Sequence, residues 1–214
     1  IVASPGDVAI EGIQHFIEGI EIRLRIPDTR AEALALRRRS MSGRSGCGVC
    51  GSELLEAALR YPAPVATDVR VSPESLSRAL RALRDAQSIA ALTGATHAAG
   101  WAALDGTLQL VREDVGRHNA VDKVIGWALL EDRLPLRDCF LLVSSRASFE
   151  IVQKACMAGI PLVACVSAAS SLAVETAREF GQTLVGFTRA RDDGDGRMNL
   201  YTHPERLDLS AAEG

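Results

Sequence analysis

Two cysteines, Cys47 and Cys50, stand in the glycine-rich run Gly46-Cys47-Gly48-Val49-Cys50-Gly51, approached through Arg37, Arg38, Arg39 and Arg44. A thiol reacts, or binds metal, as its thiolate, and nearby guanidinium groups favour that charge. The closely spaced glycines leave both sulfurs lightly shielded and let the loop change shape. The spacing suits three chemistries. A structural zinc site uses Cys-x-x-Cys as half of a tetrahedral set. No second such pair and no histidine pair at ligand spacing exists in the sequence, so only a metal shared between two copies fits. A thioredoxin-like oxidoreductase opens a helix with the motif inside a βαβ unit, whereas here it lies in a Gly, Ser and Arg loop ahead of the regular α/β pattern. A sulfur carrier accepts a sulfane sulfur on one thiolate as persulfide, and the neighbouring thiol expels or replaces it. Spacing alone leaves all three open.

Other polar groups are placed for anions. Glu113-Asp114-Val115-Gly116-Arg117-His118-Asn119-Ala120-Val121-Asp122-Lys123 leads into an amphipathic helix. Arg117, His118 and Lys123 can gather round a phosphate at that helix N-terminus, with Asp114 or Asp122 orienting them; a capped, solvated helix start is the plainer alternative. Ser144-Ser145-Arg146-Ala147-Ser148 follows a buried strand, and Ser167-Ala168-Ala169-Ser170-Ser171 takes the equivalent place after the next strand. Two such loops at neighbouring strand ends predict a shared ligand crevice, with Ser145 and Arg146 facing an anion. Phe187 can stack on a base while Arg189, Arg191 and Arg197 hold phosphate, with Thr188 and Ala190 between them. Asp192-Asp193-Gly194-Asp195-Gly196 lacks the remaining ligands of a calcium loop and reads as a solvated turn. His97, in Thr96-His97-Ala98-Ala99-Gly100, contacts either ligand or sulfur, or serves as a hydrogen-bonded structural histidine. A zinc deaminase needs His-x-Glu followed by Pro-Cys-x-x-Cys, but position 99 is alanine and the one Cys-x-x-Cys lies upstream.

The elements that must position these groups are legible in the periodicities. The 214 residues, 47% hydrophobic and 24% charged, form one sizeable domain with a small appendage. A formal net charge of -3 argues against a general nucleic-acid binder. No apolar run reaches the roughly 20 residues that cross a bilayer, and Ile1–Asp7 lacks the blocks of a secretory signal. Cys139, Cys156 and Cys165 lie in apolar stretches, which points to buried, reduced thiols and a cytoplasmic setting. Residues 1–86 read as a mixed leader: a turn at Ser4–Asp7, a helix ending at Gly19, an alternating strand over Ile20–Ile26, and a helix from Ser52. A further helix starts at Pro73, with Leu76, Leu80, Leu83 and Ile89 on one face. From 87 to 207 strands and helices alternate: strands at 107–112, 140–143, 162–166 and 183–187, helices at 119–130, 148–157 and 171–180. This predicts an α/β sheet covered on both faces, with ligand groups at strand ends. Residues 208–214 form a tail.

Taken together, Cys47-Gly48-Val49-Cys50-Gly51, the segments 96–100 and 112–123, Ser144-Ser145-Arg146 and the segment 199–206 closely resemble the formate dehydrogenase accessory sulfurtransferase family, in order, over nearly everything from 40 to 207. The resemblance implies a cytidine-deaminase-like three-layer α/β sandwich without the deaminase zinc site. It also implies a small N-terminal α+β subdomain carrying the cysteine loop (about 37–51), and a homodimer. It implies a sulfur carrier that takes sulfur from a cysteine desulfurase and passes it to the molybdenum cofactor, bis-molybdopterin guanine dinucleotide, before insertion into formate dehydrogenase. A guanine nucleotide is the expected surrogate ligand. Carried over, Cys47 bears the persulfide and Cys50 assists it, as a sulfurtransferase, while Phe187 through Arg191 with Arg197 match the cofactor-binding stretch. A cofactor-binding chaperone that transfers no sulfur is the alternative. The acidic insert between Arg191 and Arg197 lengthens the family's binding stretch, the leader from Ser4 to Gly19 matches only loosely, and a strand is expected ahead of Ile1.

Overall fold

The computed structural model describes residues 5–17, 19–35, 63–187 and 198–209. These fall into two compact units, residues 5–35 and residues 63–209. The loop 37–51 with Cys47 and Cys50, the helix expected from Ser52, the run Thr188, Arg189, Ala190, Arg191 and Arg197, and most of the tail lie outside the described residues.

In the smaller unit a 3-10 turn at Pro5–Asp7 precedes strands β1 (Ala9–Phe16) and β2 (Gly19–Arg25), followed by helix α1 (Asp28–Ala35). The helix expected to end at Gly19 is thus a strand. The register shifts between Ile10 and Gly12, a bulge that breaks the two-residue alternation and hides the strand period from the sequence. The strand read over Ile20–Ile26 is β2, antiparallel to β1, pairing Ile10 with Leu24 and Ile13 with Ile22.

The larger unit is built on a six-stranded sheet of order β4-β3-β5-β6-β7-β8. Its strands are β3 (His97–Ala103), β4 (Leu108–Asp114), β5 (Cys139–Val143), β6 (Leu162–Cys165), β7 (Thr183–Gly186) and β8 (Asn199–Thr202). β5, β6 and β7 are parallel, while β3, β4 and β8 run antiparallel to their neighbours. The parallel strands read as continuous apolar runs because both their faces are buried. On one face lie helices α4 (Arg117–Leu130), α5 (Phe149–Met157) and α6 (Ser171–Glu179) over Ala99, Leu141, Val143, Val163 and Leu184. On the other, helix α2 (Pro73–Asp85) covers Ala98, Ala102, Phe140 and Leu142.

Helix α2 was expected in the leader, yet it packs on the sheet, so the expected boundary at 86 falls inside the larger unit. Ser72 caps it, its Oγ accepting from the Ser75 N–H, and Pro73 opens its first turn. Leu76, Leu80 and Leu83 are buried as the period requires. Ile89 is not on that face: it sits exposed in a separate short helix, α3 (Ser88–Thr93), which Gly94 ends in the left-handed region. The β3–β4 turn closes against α2 at Gly106, whose φ is 87°; a Cβ there would lie 2.3 Å from the Ser75 carbonyl oxygen. Among the described residues no helix is long and apolar enough to cross a membrane.

Candidate functional site at the strand ends

The topology brings one set of termini together. β5, β6 and β7 end on the same edge of the sheet; β3 and β8 start there and β4 ends there, because each runs antiparallel to its neighbour. His97 at the start of β3 therefore pairs with Asp114 at the end of β4, next to Arg117 and His118 at the start of α4. The loops after β5, β6 and β7 bring Ser145 and Arg146, Ser167 to Ser170, and Phe187 to the same edge.

Backbone bonds join these loops. The Ser144 hydroxyl accepts from the Ala98 N–H at 2.8 Å, and the Ser144 N–H donates to the Ala98 carbonyl. Ala147 N–H donates to Ala168 O, Ser170 N–H to Ala147 O, and Phe187 N–H to Ser167 O at 3.0 Å. The two small-residue loops read from the sequence as neighbours are neighbours. Phe187 leaves β7 with φ of 52° and is 40% exposed. For a bulky residue that backbone conformation is an outlier costing of order 1–2 kcal/mol. It turns an aromatic face outward at the strand end.

The cations are disposed unequally. Lys123 Nζ is 2.7 Å from Asp114 Oδ2 and donates to the Glu113 carbonyl at 2.9 Å. The Asp114 carboxylate also accepts from the Gly116 N–H at 2.8 Å and the Asn119 side-chain amide at 3.1 Å. Those bonds, led by that of Lys123, hold its carboxyl below the usual range. The start of α4 is thus organised from within, and Asp114 does orient a cation as expected. Both ring nitrogens of His118 are occupied: Nε2 is 2.9 Å from Ser148 Oγ, and Nδ1 is 3.3 Å from Glu150 Oε2. Glu150 faces Lys154 at 3.8 Å, and Lys154 is 2.6 Å from Asp122. Burial lowers the His118 pKa more than Glu150 raises it, and Arg117 and Lys154 lower it further. His97 is also lowered, by burial and then by the Arg117 guanidinium. Both imidazoles are accordingly neutral near pH 7. Ser145 is buried, its hydroxyl donating to the Arg146 carbonyl, while Arg146 itself is exposed and has no ion-pair partner among the described residues.

Ser148 stands at the α5 cap position read from the sequence, but its side chain caps nothing and turns to His118 instead. Glu150 and Lys154 escaped the sequence reading. Their i,i+4 spacing on α5 was the available signal. Cys139, Cys156 and Cys165 are buried as expected, and burial pushes their thiols up to about 12, 12 and 11. None is a thiolate at neutral pH, which leaves Cys47 and Cys50 as the candidate reactive pair.

A mixed sheet with helices on both faces and polar groups gathered at strand ends defines the class, an α/β protein. A solved structure of a formate dehydrogenase accessory protein from Desulfotalea psychrophila shares this fold, with a TM-score of 0.65 and 25% identity, covering 97% of this chain and 74% of that one. The sequence matches the FdhD/NarQ family over residues 2–208, and the chain belongs to that family. Relatives named sulfur carrier protein FdhD include one from Xanthomonas campestris pv. campestris, 50% identical over 214 residues, all of this chain and 74% of the relative. Another, from Bordetella petrii, is 46% identical over 210 residues, 98% of this chain and 73% of the relative.

Proposed function

We propose that the chain is a cytoplasmic sulfur carrier in formate dehydrogenase maturation. Identity of 46–50% over essentially its whole length with proteins named as sulfur carriers supports this reading best. Cys47 thiolate attacks the persulfide of a cysteine desulfurase and keeps the terminal sulfur, and Cys50 helps to release it. The acceptor is the molybdenum cofactor, bis-molybdopterin guanine dinucleotide, held at the strand ends of a deaminase-like sandwich in a homodimer. Phe187 stacks on the guanine, and Arg189, Arg191 and Arg197 hold phosphate together with Arg146. The exposed ring of Phe187 and the exposed guanidinium of Arg146 at one sheet edge support that assignment.

Intact mass after incubation with desulfurase and free cysteine tests the carrier role. The wild-type chain gains one sulfur, and Cys47→Ala gains none while still binding guanosine diphosphate. Undiminished sulfur uptake by Cys47→Ala overturns the assignment. Normal formate dehydrogenase activity in a strain carrying Cys47→Ala with Cys50→Ala assigns the protein to cofactor sheltering without sulfur transfer.

A further inference from the structure

Among the described residues three serines occupy helix N-cap positions with extended backbone, and two of them behave as caps. Ser72 accepts from the Ser75 N–H and Ser170 from the Ala173 N–H. Ser148 has the same backbone geometry, φ −89° and ψ 160°, but no capping bond. Its hydroxyl is committed to His118 Nε2 at 2.9 Å, and His118 Nδ1 faces Glu150 Oε2 at 3.3 Å. The Glu150 carboxylate at ion-pair distance favours a proton on Nδ1, the tautomer in which the Nε2 lone pair faces the Ser148 hydroxyl. Glu150 is in turn held by Lys154, and Lys154 by Asp122, so the acid is anchored on its far side. A hydroxyl, a base within reach of it and a third group orienting the base are the parts that activate a serine nucleophile, on whatever fold they occur.

We propose that Ser148, His118 and Glu150 form a nucleophile, base and orienting acid for acyl transfer from a small carboxylic ester, an activity separate from sulfur carriage. Ser148 Oγ attacks the ester carbonyl carbon as its proton passes to His118 Nε2. The bond to the leaving alcohol then breaks, and His118 returns the proton to that oxygen. Water, deprotonated by the same nitrogen, hydrolyses the acyl-serine and restores the starting state, so no oxidant or reductant enters. The developing oxyanion lies by the N-terminal end of α5, where the helix dipole favours negative charge. Burial contributes twice. It keeps His118 neutral and hence basic near pH 7, and it limits the acyl group. Ser148 is 3% exposed, between Ala147 and Phe149, so only a small acyl or phosphoryl group reaches it. The half-buried loop Ser167 to Ala169 adjoins this position through the Ala147–Ala168 and Ser170–Ala147 backbone bonds.

A small dialkyl fluorophosphate is the first probe. It bonds through phosphorus to an activated serine with loss of fluoride, and it spares thiols, so Cys47 and Cys50 do not confuse the readout. Peptide mapping of the full-length wild-type chain is expected to find the adduct on Ser148. His118→Gln and Glu150→Gln are expected to slow labelling, the former by about 10²-fold or more. In parallel, p-nitrophenyl acetate is expected to leave an acetyl group on Ser148 of the wild type. The decisive adduct is read on the unsubstituted chain, so a variant that fails to fold does not obscure the result. Absence of any adduct on Ser148 of the folded wild type overturns the proposal, as does equal labelling of a folded His118→Gln chain.

Discussion

Replacing Phe187 with glycine and, separately, with alanine separates its backbone strain from its proposed stacking on guanine. Both substitutions delete the ring, so lost burial is the same in each and cancels in the comparison. What remains is the backbone. At φ of 52° a residue with a Cβ is strained by about 1–2 kcal/mol, whereas glycine is not. Glycine gives back about 0.5–1 kcal/mol through its greater unfolded-state freedom. At the middle of both ranges the net favours glycine by about 0.7 kcal/mol, the reverse of the order found at ordinary helix and strand positions. For a chain of this size that is a melting difference of about 1–4 °C, resolvable by calorimetry. Guanosine diphosphate titration reads the other role. Stacking of a base on an aromatic ring is worth about 1–3 kcal/mol, so both variants are expected to bind about 5- to 150-fold more weakly than wild type, and equally so. If the alanine variant melts at or above the glycine variant, the backbone argument is refuted. If the dissociation constant is unchanged in both, Phe187 does not face the guanine.

Arg206 is buried, and its guanidinium donates to the carbonyls of Val65, Thr67 and Gly181 and to the Thr183 hydroxyl. Arg206→Met strands those carbonyls and is expected to cost about 3–5 kcal/mol; a urea midpoint shift corresponding to less than about 1 kcal/mol refutes the staple. Asp114 has its folded pKa depressed, chiefly by Lys123. Its stabilisation is therefore complete above the unfolded value near pH 3.9 and is lost as pH falls through the lower folded value. The stability gap between wild type and Asp114→Asn is expected to hold above about pH 5 and to close as pH falls below about 3.9; a gap that stays constant refutes the pairing. Cys139, Cys156 and Cys165 are expected to resist iodoacetamide in the native state at pH 7–8 and to react once unfolded. Peptide mapping that finds any of them alkylated in the folded chain contradicts their burial.

Much of the larger unit was legible because its parallel strands are short apolar runs separated by amphipathic helices, two periods that are hard to confuse. β3 was less visible. Ala98, Ala99 and Ala102 carry little strand propensity, and only their burial on both faces of a central strand makes the segment a strand. β1 was misread because its bulge removes the alternation that identifies β2. α2 was assigned to the wrong unit because a helix's amphipathicity says that it packs, and never on what. The site divides in the same way. Its loops were recognisable as small-residue segments following strands, and Asp114 with Lys123 as a local pair. Glu150 and Lys154 offered only their i,i+4 spacing, because their partners His118 and Asp122 lie 32 positions away in each case and meet them only through the packing of α4 on α5.

That packing also decides which cations remain for a ligand. The start of α4 carries Arg117, His118 and Lys123, a set that on sequence alone is an anion site. Lys123 already has a carboxylate at 2.7 Å, and His118 is neutral with both nitrogens engaged. An incoming phosphate must displace an existing bond to use either, and such a trade gains little. Arg146, exposed on the loop after β5 and without an ion-pair partner among the described residues, has no such bond to give up. On the proposed reading it is the cation that a ligand spanning the ends of β5 and β7, beside Phe187, would meet. Arg146→Ala is accordingly expected to weaken guanosine diphosphate binding more than Lys123→Ala, and isothermal titration at two salt concentrations separates the two. A larger loss at Lys123 would mean that the ion pair with Asp114 opens on binding, and that the start of α4, in place of the β5 loop, is the phosphate contact.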